Sequence, residues 1–232
     1  MLSPDPSNLS LALALALSIY LTLLVSTPPN QPPKAPSSQP KDRIHLVTTP
    51  IIQNQRRRIL TAVSLYHTLL SLLYPSPPSY LCPNPSNLNP VLFTWSPTTI
   101  ICITAILLAA PIRLLAFKQL GQNFTFQLAP PRNLVTSGMY RYIQHPSYLT
   151  HGTGLLANGW LFLRVDGGLG CWLGEGVVGW VGWRWIGWGL IVFGVEMVRR
   201  RVVDEEGMLR EKVGVEWEVW HKKTKRFIPF VF

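Results

Sequence analysis

Two clusters of residues in this chain of 232 have types and spacing suited to chemistry. The first is the run Leu134-Val135-Thr136-Ser137-Gly138-Met139-Tyr140-Arg141-Tyr142-Ile143-Gln144-His145-Pro146-Ser147-Tyr148. Ser137-Gly138 is a turn signal. Proline is favoured in the first turn of a helix, where its missing N–H is not needed. Pro146 therefore starts a helix, and His145 and Tyr148 stand at its mouth. The second cluster is Asp204-Glu205-Glu206, directly after Arg199-Arg200-Arg201. Carboxylates at the mouth of a helix hairpin suit a cationic or hydroxyl-bearing cofactor. Each cluster also has a plain reading. The first can be a Tyr/His belt capping a helix at an interface, and the second a solvated helix face on which Glu206 and Arg210 are i,i+4 partners.

The elements that must position these clusters are apolar. The chain is 47% hydrophobic and only 14% charged, against roughly 25% charged in an ordinary soluble domain. A water-soluble globule is disfavoured, and so is a disordered chain despite 21 prolines, because disorder needs low hydrophobicity. A net charge of +10 would suit nucleic acid only if Lys and Arg shared one folded face. Here they fall between long apolar runs, so a membrane protein with no nucleic-acid partner is expected. Cys82, Cys102 and Cys171 have no CxxC spacing and are too few for a Cys-rich zinc site, so no metal is expected either.

Five apolar stretches stand out: 9–25, 59–74, 91–117, 148–163 and a Gly/Trp-rich stretch ending near Val198. A spanning helix needs about 20 apolar residues. The fold class expected is all-α, a polytopic membrane bundle of about five transmembrane helices with a cytosolic C-terminal helix and tail. Apart from Arg164 and Arg184, the 21 Lys and Arg fall in the connections after the first, third and fifth stretches, and the loop Pro75 to Pro90 carries no charge. The positive-inside rule then puts the N-terminus outside the cytosol and the basic tail inside it. Residues 9–25 also read as a cleaved signal peptide, but Asp5 is the only charge before them, and cleavage would move Arg56 to Arg58 to the lumenal side. On the uncleaved topology Cys82 and Cys171 both face the lumen and can pair. Residues 1–26 form an N-terminal transmembrane segment, 27–58 a Pro-rich cytosolic linker without chemistry, and 59–118 a transmembrane pair. Residues 119–232 hold both clusters, two further transmembrane helices and the tail.

Within the Gly/Trp-rich stretch, Gly174 to Gly179 spells a formal GxGxxG. That fingerprint has meaning only after a strand in a βαβ unit, and nothing here alternates strand with helix. Small residues that let helices approach, with Trp at the membrane interface, explain the composition better. Glu175 and Arg184 mark the outer border, so the last spanning helix begins near Trp183.

Taken in order, Gly121-Gln122-Asn123-Phe124, the Leu-Val-Thr-Ser-Gly-x-Tyr-x-Tyr run, His145-Pro146-Ser147-Tyr148, Glu205-Glu206, Gly214-x-Glu216-Trp217 and the closing Arg226-Phe227-Ile228-Pro229 resemble the isoprenylcysteine carboxyl methyltransferases. Phospholipid N-methyltransferases are wider relatives, and sterol reductases more distant ones. The likeness covers about half of the chain, from Leu114 to Phe232. It implies S-adenosylmethionine as cofactor, bound in a cytosolic pocket between the last two helices and the tail. Val135, Tyr140, His145, Pro146, Tyr148, Glu205 and Glu206 would line or hold it, with Glu206 also serving catalysis. The implied partners are the lipid bilayer and the prenylated C-termini of CaaX-type proteins, and the implied location is the endoplasmic reticulum membrane. Departures are visible: Gln144 stands where the family usually has Arg, Thr150 where it has Gly, Trp217 and Trp220 where it has Tyr, and Lys223 where it has Arg. Arg141 is the candidate to replace the missing charge at the substrate carboxylate. Three alternatives stay open: a phospholipid or small-amine N-methyltransferase, a membrane reductase, and a non-catalytic scaffold of the same fold.

Overall fold

The computed structural model describes residues 5–30, 42–174 and 183–228. Among the described residues the chain is all helical, with no strand and one isolated parallel bridge between Ile143 and Lys225. Eight α-helices are described: α1 (Pro6–Ser26), α2 (His45–Thr48), α3 (Pro50–Leu73), α4 (Pro90–Phe93), α5 (Pro97–Leu120), α6 (Pro146–Phe162), α7 (Trp183–Val213) and α8 (Val215–Lys223). Five of them open on proline, which pre-sets the helical φ. Two helical runs, Pro6–Ser26 and Pro97–Asn123, are long and apolar enough to cross a membrane by length and composition. Of the other expected spans, α6 has 17 residues, and α3 carries Arg56, Arg57 and Arg58 in its first half.

The apolar run 91–117 is not one helix. It breaks at Thr94–Ser96 into α4 and α5, because Ser96 and Thr99 form a reciprocal cap just before Pro97. The Ser96 N–H donates to Thr99 Oγ1 at 2.9 Å, and the Thr99 N–H donates to Ser96 Oγ at 3.1 Å. α6 begins at Pro146, as the proline indicates; the residues before Trp183, where the last spanning helix is expected to begin, lie outside the described residues. Most of the GxGxxG lies outside the described residues.

The chain divides into two compact units. The first unit comprises Met1–Leu24, Arg56–Leu108 and Thr153–Ile191. Leu11, Leu15 and Ile19 of α1 pack with Ile103 and Ile106 of α5 and Leu161 and Phe162 of α6. A buried polar pair, Asn158 Nδ2 donating to Thr22 Oγ1 at 3.1 Å, links α6 to α1. Such bonds hold apolar helices together where lipid offers no competing partner. A second core surrounds a Cys82–Cys171 disulfide and includes Leu70, Leu92 and Phe93. Around it Asn84 and Asn87 donate to the carbonyls of Gly170, Cys171 and Leu173, which explains how an uncharged Asn-rich loop is ordered. Arg164, one of the two cations outside the basic connections, is neutralised locally by Asp166, to which its Nε donates at 2.8 Å.

The second unit comprises Val25–Gln55, Ala109–Gly152 and Val192–Phe232 and contains both chemical clusters. Its core joins Ala116, Tyr140, Trp217 and Trp220.

Candidate functional site

The site is assembled in the second unit. At Gly138 φ is +61°, a left-handed conformation open to glycine, and a tight 3-10 turn runs from Gly138 to Arg141. The Met139 N–H donates to Gln119 Oε1 at 2.9 Å, which fixes the turn against α5. Tyr140 is thereby buried, and its carbonyl accepts from Trp220 Nε1 at 2.8 Å. Gly214, with φ +64°, ends α7 and turns the chain into α8. Past α8 the tail is stitched to the His-Pro run by backbone bonds: the Gln144 N–H donates to the Lys225 carbonyl at 2.7 Å and the His145 N–H to the Arg226 carbonyl at 2.8 Å. The motifs that are distant in sequence are in this way made adjacent.

Glu206 sits on α7 facing this stitch. It accepts from Arg226 through Nε and Nη2, both at 2.8 Å, and lies 3.4 Å from His145 Nε2. The expected i,i+4 pair with Arg210 is not formed; Arg210 reaches Glu218 instead, across the turn at Gly214. Partial burial works to raise the Glu206 pKa, but the bonds from His145 and Arg226 outweigh it and hold the carboxyl at about 2. Glu205, its neighbour, accepts from the Tyr148 hydroxyl at 2.6 Å, a charge-assisted distance. Arg201 completes this group. Its Nε donates to Tyr148 Oη at 3.2 Å, Nη2 to the Phe126 carbonyl at 3.2 Å and Nη1 to Asp42 Oδ2 at 2.8 Å. Burial disfavours the Arg201 charge, yet Tyr148, Glu205 and Asp42 together raise its pKa and keep it ionised.

An open cavity lies among these groups, walled by Tyr140, Tyr148, Arg201, Glu205, Gln144 and Trp220 with apolar side chains between them. The Tyr140 hydroxyl is buried and has no hydrogen-bond partner among the described residues. Burial, aided by the Glu205 charge, pushes its pKa up, so it stays a donor. A carboxylate, a cation, aromatic faces and an unpartnered hydroxyl suit an adenosyl amino acid, whose hydroxyls, amine, carboxylate and ring need each of these.

Of the residues singled out from the sequence, Val135, Tyr140, Tyr148 and Glu205 line the cavity. His145, Pro146 and Glu206 are not among its walls: Pro146 starts α6, and His145 and Glu206 join Arg226 in the network that holds the tail. Arg141 is exposed, its guanidinium 5.8 Å from the Tyr142 ring, and it does not line the cavity. Gln144 is committed to the tail, donating to Thr224 Oγ1 at 2.8 Å, with its Oε1 2.9 Å from His221 Nδ1.

Sequence reasoning missed three contributors. Asp42 lies in the segment read as a linker without chemistry. Arg201 counts in the sequence only as one of the basic residues after the fifth apolar stretch. Arg113, counted among loop cations, is inside α5 and buried, with Nη1 donating to the Ser147 carbonyl at 2.7 Å and to its hydroxyl at 2.9 Å. A lone Arg in an apolar run was the available signal for the last; a pair as distant in sequence as Asp42 and Arg201 has no local signal.

Comparison with known families agrees with this site in part. The model of the isoprenylcysteine carboxyl methyltransferase (ICMT) family matches residues 100–165. The matched segment includes Val135, Tyr140, Arg141, His145, Pro146 and Tyr148 and ends before Glu205 and Glu206. No curated protein and no solved structure gives a significant match.

Proposed function

We propose that this chain is an S-adenosylmethionine-dependent methyltransferase that esterifies the C-terminal carboxylate of prenylated cysteine on CaaX-type proteins. The observation that carries the reading is the joining of the two clusters on one cavity, with Tyr148 bonded to Glu205 and the unpartnered Tyr140 hydroxyl at its wall. The family match supports methyl transfer as the reaction type.

When bound, the cofactor supplies an electrophilic methyl group on sulfur. The chain's own residues have a limited task. A free α-carboxyl has a pKa of about 3.5, so the substrate is already an anion at neutral pH and needs no general base. Glu205, held by the hydroxyl that Tyr148 donates to it, offers an acceptor to polar groups of the cofactor, and the Tyr140 hydroxyl offers a donor. Val135, Trp220 and the tyrosine rings exclude water that would otherwise solvate and blunt the carboxylate. The network of His145, Glu206 and Arg226 holds the tail against the His-Pro run, and with it Gln144 of the cavity wall. Exposed apolar side chains on α5, such as Ile101 and Leu108, are suited to lipid and to a prenyl tail. The bilayer, of the endoplasmic reticulum by the family likeness, would carry the substrate to a cavity on its cytosolic side.

One observation favours a second reading, methylation of a phospholipid or small amine. An amine must lose a proton, and His145, outside the cavity walls, is a buried imidazole with Nε2 beside Glu206 and no partner on Nδ1 among the described residues, so that nitrogen is free to take one. Methyl transfer from radiolabelled S-adenosylmethionine in membranes containing the chain separates the two. Base-labile label on a farnesylcysteine analogue with a free carboxyl is the expected result. Label confined to phosphatidylethanolamine would overturn it in favour of the amine.

A further inference from the structure

Arg201 is the only cation among the described residues that line the cavity. It does not face that space unengaged. Asp42 brings its carboxylate to Arg201 Nη1 at 2.8 Å, and the same oxygen accepts the Leu128 N–H at 3.3 Å. Leu128 is itself part of the cavity wall. A guanidinium and a backbone N–H converging on one carboxylate oxygen make a carboxylate seat. The side chains of Arg201 and Asp42 are 6% and 9% exposed, so the seat is largely withdrawn from water.

The residue filling it also accepts the Ile44 N–H at 3.1 Å through its other oxygen. Asp42 belongs to a short segment leading into the four-residue helix α2. Beside it, the Arg43 N–H donates to Asp204 Oδ2 at 3.0 Å, and the guanidinium, on a side chain 56% exposed, pairs with the buried Asp204 carboxylate at 3.3 Å. An incoming carboxylate could replace Asp42 like for like, so the exchange leaves no buried charge unpaired, which is what makes breaking a buried pair costly.

We infer that Arg201 is the cavity's carboxylate-recognising residue, and that Asp42 occupies its seat as an internal competitor that a ligand carboxylate must displace. The inference rests on the methyltransferase reading for the identity of the ligand. Two carboxylates are in question, that of the cofactor's amino-acid end and that of the prenylcysteine, and both present the same chemistry to Arg201. The role assigned to Arg141 from sequence would then belong to a residue 60 positions later.

The test is equilibrium binding to the full-length protein in detergent, which reads out without turnover. The probes are S-adenosylhomocysteine, acetyl-farnesylcysteine and the methyl ester of the latter. Asp42→Asn keeps an acceptor for Leu128 and Ile44 while removing the competing charge. It is expected to tighten one acid-bearing probe about tenfold, the scale of one partly buried charge pair, and to leave the ester unchanged. Tightening of S-adenosylhomocysteine assigns the seat to the cofactor; tightening of acetyl-farnesylcysteine alone assigns it to the substrate. Arg43→Ala, which loosens the segment without touching Arg201, is expected to act in the same direction by about threefold. If both variants leave every probe unchanged, or weaken acid and ester alike while lowering the melting temperature, Asp42 is a structural anchor and the inference fails. Tightening without methyl transfer in any variant would instead refute the proposed function and leave the carboxylate seat standing.

Discussion

Replacing Glu206 by alanine should destabilise the second unit by an amount that can be worked from its contacts. Two bonds from Arg226, both at 2.8 Å, are lost together with the His145 contact at 3.4 Å. The Arg226 side chain is 46% exposed and can turn to water, so its share is discounted to about 1 kcal/mol. His145 is 3% exposed and has no partner on Nδ1 among the described residues. Losing the other nitrogen's partner costs about 1–3 kcal/mol. The total, about 2–4 kcal/mol, corresponds to a fall in melting temperature of roughly 5–15 °C for a chain of this size. Glu206→Gln keeps one acceptor oxygen and should lose about half as much. The pH dependence supplies a second check. The folded carboxyl sits at about 2, below the ordinary 4.5, so its contribution is fully present above pH 4.5 and is lost as pH falls toward 2. Melts of the detergent-solubilised protein should therefore separate wild type from Glu206→Ala by a constant interval between pH 7 and pH 5, closing at lower pH. An alanine variant that melts with wild type at pH 7, or an interval that persists unchanged to pH 3, would refute the reasoning.

Three further outcomes follow from the geometry. Gly138→Ala places a side chain at φ +61°, with its Cβ 2.6 Å from the Gln119 side chain. It should cost about 1–2 kcal/mol, read as a lower melting temperature, and raise the KM for S-adenosylmethionine through displacement of Tyr140. Gln144→Arg, which restores the residue usual in the family, puts a charge into a site that is 4% exposed and bonded to Thr224 and His221. It should destabilise by about 2–3 kcal/mol and give no gain in turnover. The Cys82–Cys171 bridge closes 89 residues, for which the chain-entropy account gives about 4–5 kcal/mol. Reduction should therefore lower the melting temperature by roughly 10–20 °C for a chain of this size; a melt unchanged by reduction would show that the bridge does not contribute.

Local chemistry was legible where one or two adjacent residues decide it. Pro146 after His145 starts α6, because that signal acts within a single turn. The Cys82–Cys171 bridge was legible only as an option, since expecting both residues on one side of the membrane permits the pair without requiring it. The Ser96–Thr99 cap was also local, yet the surrounding apolar run hid it and made two helices read as one. What the sequence could not reveal are pairings created by tertiary folding. Glu206 has a good i,i+4 partner in Arg210, but the turn at Gly214 brings Glu218 to Arg210 and the stitched tail brings Arg226 to Glu206. Asp42 looked idle in a Pro-rich segment because its partner, Arg201, is 159 residues away. Both clusters were recognised as chemistry, and their division into cavity walls and supporting network depends on which side of α7 each carboxylate faces.

The most direct measurement is ultraviolet cross-linking of radiolabelled S-adenosylmethionine to the full-length protein, followed by peptide mapping. The account predicts label in the peptides that contain Tyr140 to Tyr148 or Arg201 to Leu209, abolished by excess S-adenosylhomocysteine. Competable label confined to the peptides around the Cys82–Cys171 bridge, or no competable label at all, would contradict it.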